Sequence, residues 1–173
     1  MQRKQPIRKK TASRKNRTKT LMLQLEINSQ YSALAAPEAI AAMLFERLQA
    51  SGAFPISGGE LSIAFVDDAT IARVHGDFMG DPSPTDVITF PADASIETAG
   101  EIIVSVDHAR SRSVEFAEPF SRELCLYLVH GWLHLAGYDD REDSDRQKMR
   151  DAEQEALKII EAVEPKLEFR LLP

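Results

Sequence analysis

Residues 119–140 read PFSRELCLYLVHGWLHLAGYDD, and this stretch decides how the rest of the chain must be arranged. Behind Pro119, which opens a helix, Phe120, Leu124, Cys125, Leu126, Leu128, Val129, Trp132, Leu133 and Leu135 put apolar side chains on every side of it. A helix that is apolar all round belongs inside a core, so other layers must cover it. His130 and His134 sit in this apolar run. Four residues apart, they lie one turn above each other on one face, where two imidazole nitrogens reach a single point in space. Gly137 is placed to end the helix in the left-handed conformation, and the chain then turns back toward the pair. That turn offers Asp140 as a third ligand, with Asp139 beside it as a competing carboxylate. Two imidazoles and a carboxylate leave one position open on Zn²⁺, which is the pattern of catalytic rather than structural zinc. The expected cofactor is therefore one Zn²⁺ per chain, on His130, His134 and Asp140.

The plain alternative is a pair of core histidines satisfied by hydrogen bonds. Burying two imidazoles on one face without partners costs roughly 1–3 kcal/mol each, and a shared cation removes both penalties at once. The familiar metalloprotease helix carries Glu directly after its first histidine as general base. Here that position is Gly131, which argues against a protease, although a metal hydrolase acting on a small molecule or peptide remains a third reading.

Working outward, alternation over Met22 to Ile27 suits a half-buried strand, and Pro37 opens an Ala-rich helix to about Gln49. Leu61 to Val66 reads as a second strand, and Asp67-Asp68 caps a short helix through about His75. After a Gly, Asp and Pro-rich connection, Asp86 to Phe90 and Gly100 to Val106 are two further β-rich runs, the second continuous enough to lie centrally. Ser105 or Asp107 caps a helix from His108 to about Phe116. A last helix, from about Glu142 to Ile160, carries Met149, Ala152, Ala156 and Ile159 at three-to-four spacing. The pattern predicts a single α/β (α+β) domain: a mixed sheet of about four strands with helices on its faces and the histidine helix buried.

Length and composition agree with one soluble globular domain, at 173 residues, 43% apolar and 28% charged. There is no stretch long and apolar enough for a membrane span and no apolar signal core, so the expected location is the cytoplasm. The single cysteine, Cys125, excludes an intramolecular disulfide and a thiolate zinc cluster, and reads as a small core residue. Charge is divided sharply along the chain. Residues 1–20 hold nine Lys or Arg and no acid, leaving twelve basic against twenty-seven acidic residues over 21–173. The first twenty residues are therefore expected to be a disordered basic tail, separate from a domain over 21–173, with a charge suited to RNA. A solvated arm with no specific partner is the bland reading, and Met22 would be a natural start in its own right.

Two segments together resemble the YbeY family of bacterial rRNA maturation factors and metal-dependent endoribonucleases. The first is His130-Gly131-x-Leu133-His134-Leu135-x-Gly137-Tyr138-Asp139, and the second is Pro84-Thr85-Asp86-Val87-Ile88-Thr89-Phe90-Pro91, followed by Gly100-Glu101-Ile102. The resemblance covers most of residues 22–160, and the basic tail lies outside it. It implies a zinc-dependent, single-strand-specific endoribonuclease in 16S rRNA 3′-end maturation and ribosome quality control, with rRNA and the small ribosomal subunit as partners. It also implies that Asp140 rather than Asp139 takes the third ligand's register, where family members usually have His. Many members carry Asn and, four residues later, Arg where this chain has His75 and Met79. Arg73, His75 and Arg110 are the candidates to supply the missing charge. Thr85 and Asp86, with Asp139, are candidates to support the ligands from behind, or else Thr85 and Asp86 cap the turn before their strand. The competing function is a zinc-containing ribosome assembly or binding factor with little or no nuclease activity.

Overall fold

The computed structural model describes residues 22–173, so the expectations placed on residues 1–20 lie outside the described part. Strands β1 (Leu23–Ser29), β2 (Gly59–Val66), β3 (Val87–Phe90) and β4 (Thr98–Ser105) form one sheet in the order β1-β2-β4-β3. The first three in that order run parallel, and β3 lies antiparallel to β4 at the edge. Helices α1 (Pro37–Ser51), α2 (Asp68–Met79), α3 (Val106–Phe116), α4 (Phe120–Leu135) and α5 (Asp143–Glu161) complete the domain. This is the mixed, four-stranded α/β arrangement that the hydrophobic periodicity predicts.

The two faces of the sheet are covered unequally. Leu61, Ile63, Phe65, Ile102 and Val104 point into the main core, where α1, α3, α4 and α5 cover them. On the other face, among the described residues, only α2 packs, closing a small cluster of Val66, Ile71, Ile88 and Ile103. Helix α4 lies between the sheet and α5, with Leu124, Leu128, Val129, Trp132 and Leu133 fully or almost fully buried. Trp132 stacks on Phe45 with ring centroids 5.6 Å apart and donates its indole N–H to the Phe54 carbonyl at 2.9 Å. Burying so large a ring with its polar atom satisfied makes Trp132 a main contributor to the core.

Gly131 has a packing reason of its own. A Cβ there would lie 2.7 Å from Cγ2 of Ile102 in β4, so the bare backbone lets α4 sit down on the sheet. The position that holds a general base in metalloproteases is thus filled by sheet packing in this chain, with no room for a carboxylate.

Local differences from the sequence reading have simple causes. Helix α2 continues to Met79 instead of stopping near His75, because Asp67 caps its start through Thr70 N–H at 2.7 Å and Gly80 closes it in the left-handed conformation. Gly76 does not break it, since it packs against Pro82. Between the two candidate caps for α3, the Ser105 hydroxyl accepts from His108 N–H at 3.0 Å, so Val106 begins the helix rather than ending the strand.

Candidate metal centre

Helix α4 presents His130 and His134 one turn apart at its C-terminal end, with the rings nearly perpendicular and their centroids 4.5 Å apart. Gly137, at φ 94°, closes the helix. Its N–H bonds the His134 carbonyl and the Tyr138 N–H bonds the Leu133 carbonyl, each at 3.0 Å, which is the paired pattern of a Schellman cap. The chain emerging from this cap swings Asp140 back, so that its Oδ2 lies 3.6 Å from Nε2 of His130. One donor atom from each of His130, His134 and Asp140 then lies within 4.8 Å of the others. The neighbouring Asp139 is used differently, its Oδ1 accepting the Asp140 N–H at 2.8 Å and facing Arg141 Nε at 3.6 Å.

The outer nitrogens of the two rings decide what the inner ones can do. Nδ1 of His134 lies 3.0 Å from the Tyr138 carbonyl, which only accepts, so that nitrogen carries the hydrogen. Nδ1 of His130 lies 2.6 Å from the Glu153 carboxylate on α5 and donates to it in the same way. In two neutral rings both Nε2 atoms then offer lone pairs, and they face each other at 2.9 Å. Two lone pairs at that separation repel unless a cation lies between or beside them. With a carboxylate oxygen as third donor, the set matches the nitrogen and oxygen ligation of zinc at about 2.0–2.2 Å.

The two histidines titrate in opposite directions. Burial works to lower the pKa of His130, but the hydrogen bond and charge of Glu153, with the charges of Asp86 and Asp140, raise it above the ordinary value. His134 is lowered, by burial and then by the positive charge of His130.

His134 and Asp140 open onto a cleft of about 560 Å³ at the β3 edge, lined also by Met79, Thr89, Pro91 and Arg141 among others, with His130 set behind them. Arg73, His75 and Arg110 do not line it. Arg73 bonds Thr70 on the exposed side of α2, Nδ1 of His75 meets the Ser83 carbonyl at 2.9 Å, and Arg110 is exposed on α3. The position where the resemblance leads one to look for an arginine is on the cleft, and it holds Met79. Thr85 and Asp86 organise the start of β3: the Asp86 carboxylate accepts from Thr85 Oγ1 at 3.0 Å and from Val87 N–H at 2.8 Å. Neither side chain hydrogen-bonds a histidine ring, and Asp86 reaches His130 through its charge alone.

Two residues at the site escaped the sequence reading. Glu153 follows Met149 by four residues and precedes Ala156 by three, so a carboxylate on the apolar stripe of α5 was the available signal. Arg141, the one cation lining the cleft among the described residues, carries only the weak signal of standing next to two acids.

A sequence model of the family described as endoribonuclease YbeY matches residues 19–161. Among similar proteins, an endoribonuclease YbeY of Desulfitobacterium hafniense is 38% identical over 112 residues, spanning 58% of this chain and 71% of that protein. One of Protochlamydia amoebophila is 41% identical over 99 residues, spanning 54% of this chain and 65% of that protein. A solution structure of a Thermotoga maritima protein superposes with a TM-score of 0.58 at 26% identity, covering 82% of this chain and 90% of that one.

Proposed function

We infer that this chain, which belongs to the YbeY family of endoribonucleases, hydrolyses RNA phosphodiester bonds with one Zn²⁺ held by His130, His134 and Asp140. The observation that carries the reading is the pair of Nε2 atoms 2.9 Å apart, both left with lone pairs by the hydrogen bonds behind them, with a carboxylate alongside. A zinc ion bound there would act as a Lewis acid toward a phosphate oxygen and bring the pKa of water down to about 7.

The protein's own residues do the positioning. Glu153 and the Tyr138 carbonyl fix the tautomer and tilt of the two rings before anything binds, and Glu153 makes the His130 imidazole more basic. Asp140 brings a negative charge where an imidazole would be neutral, which lowers the net charge of the site and makes its metal a milder Lewis acid. The C-terminal end of α4 adds a partial negative charge that favours a cation.

As substrate we propose single-stranded RNA, and within it precursor 16S rRNA near its 3′ end, in maturation and quality control of the small ribosomal subunit. The family relationship supports this choice. The nine basic residues among the first twenty would supply long-range attraction to RNA for a domain that is otherwise strongly acidic.

One observation favours a second reading, a zinc-containing assembly or binding factor. Arg141 is the sole cation lining the cleft among the described residues, and it is paired with Asp139. Purified wild type and His130→Ala/His134→Ala, compared for metal per chain and for cleavage of single-stranded and duplex RNA with and without chelator, separate the two. The nuclease reading expects about one zinc in the wild type and cleavage that vanishes with the substitution or the chelator. Zinc bound but identical cleavage in both proteins would hand the lead to the binding factor.

A further inference from the structure

The sheet edge beside the metal cleft carries apolar side chains that the core does not use. Helix α2 ends on Phe78 and Met79, which are 70% and 58% exposed, and Ile96 ahead of β4 is 69% exposed. The Phe78 ring stands edge-on to Phe90 of β3 with centroids 4.9 Å apart, and the rest of it is left to solvent. Pro91 then lines both the metal cleft and a shallow hollow of about 340 Å³ walled by Phe90 and Ile96. Met79 lines the cleft too, so the apolar strip runs without a break into the site. Contiguous exposed apolar surface of this kind marks a place of interaction.

Charge and continuity together select what covers it. Next to the strip stand Asp77, Asp81, Asp93 and Glu101, with Arg73 and His75 set one turn or more back along α2, so the strip itself draws a phosphate backbone weakly. A nucleobase is flat and uncharged, and stacks on an exposed aromatic ring whatever its identity. The cleft that would receive the phosphate begins at the next residue, Met79, whose thioether offers no charge to the backbone. With Arg141 the one cation lining the cleft among the described residues, and that residue paired with Asp139, contacts to the bases are the remaining local source of substrate binding.

We propose that Phe78, backed by Phe90 and continued by Met79, is a stacking platform for a base of single-stranded RNA flanking the phosphate to be cut. The proposal rests on the ribonuclease reading above and gives it a source of strand selectivity, because bases in a duplex are already stacked on one another and cannot reach the platform.

The test uses the full-length, zinc-loaded protein as wild type, Phe78→Ala, Phe78→Leu and Phe78→Trp, with short single-stranded RNAs carrying 2-aminopurine at successive positions. Stacking quenches the probe, and leucine keeps apolar bulk without a ring. The expected result is quenching by wild type and Phe78→Trp at one probe position and its loss in the other two. KM should rise about 5- to 50-fold in Phe78→Ala and Phe78→Leu, with kcat within about twofold and zinc per chain unchanged. Cleavage with equal KM and equal quenching in all four proteins overturns the platform and leaves the ribonuclease reading intact. Absence of metal-dependent cleavage by the wild type overturns both.

Discussion

The two ends of α4 make an instructive pair. At its N-terminal end a hollow of about 710 Å³, larger than the metal cleft, is lined by Ser121, Arg122, Cys125, Glu161 and Lys166 among others. Its arginine and its cysteine are already accounted for. Arg122 pairs with Glu161 at 2.7 Å, and burial pushes the Cys125 thiol up to about 12, far from any reactive thiolate. At the C-terminal end the space is smaller, yet among the described residues the two Nε2 atoms meet only each other, at 2.9 Å, and the Asp140 carboxylate. Uncommitted donors, more than volume, distinguish a working site from a dent in the surface.

If that contrast is right, substitutions should separate the two ends by orders of magnitude. His130→Ala or His134→Ala should reduce bound zinc to a small fraction of one per chain and RNA cleavage by more than ~100-fold, beyond the range of changes behind the ligands. Metal analysis and single-turnover cleavage check this, and retention of stoichiometric zinc in both variants would break the contrast.

Glu153→Gln should follow, with zinc affinity weakened by about 10- to 100-fold. It also carries a pH signature. Because His130 is raised above its ordinary 6.5 by Glu153, its proton competes with the metal up to a higher pH than an ordinary histidine's would. Zinc affinity of the wild type should therefore fall as pH drops through that raised value. In Glu153→Gln the fall should set in at lower pH, since burial then lowers the histidine against only the charges of Asp86 and Asp140. Competition titrations of metal binding against a chelator at a series of pH values give both numbers.

Gly131→Ala sits between the ends and should act on stability. Its methyl would meet Ile102 at 2.7 Å, so the helix or the isoleucine must shift at a cost of about 1–3 kcal/mol. For a domain of this size that is a drop in Tm of roughly 2–4 °C per kcal/mol, read by thermal unfolding of the metal-free protein. The smallest effect is expected at the far end. Arg122→Ala removes a pair whose side chains are 44% and 56% exposed, so it should change stability by less than ~1 kcal/mol and cleavage by less than about twofold. A large loss of activity there would show that the bigger hollow has a role.

Much of this was legible because local rules and the tertiary structure agree. The i, i+4 histidines, the glycine that turns the chain and the apolar helix around them depend on spacing alone, so a linear reading finds them. Thr85 and Asp86 show the opposite case. Capping the turn and supporting a histidine look the same in one dimension, and only coordinates reveal that the hydrogen bonds of Asp86 go to its own neighbours while the bond to His130 comes from Glu153, twenty-three residues away.

The sequence by itself determined the layered α/β class, the burial of α4 and the pair of imidazoles on one of its faces. Periodicity, capping and glycine placement are properties of near neighbours along the chain, and they act before any long-range contact forms. Only the tertiary structure decided that Glu153 from α5 holds His130, that Asp139 is spent on its own turn while Asp140 faces the rings, and that Met79 and Arg141 border the cleft. These are long-range or conformational outcomes, set by how α2 and α5 dock on the sheet and how one cap aims a short loop. No local propensity encodes them.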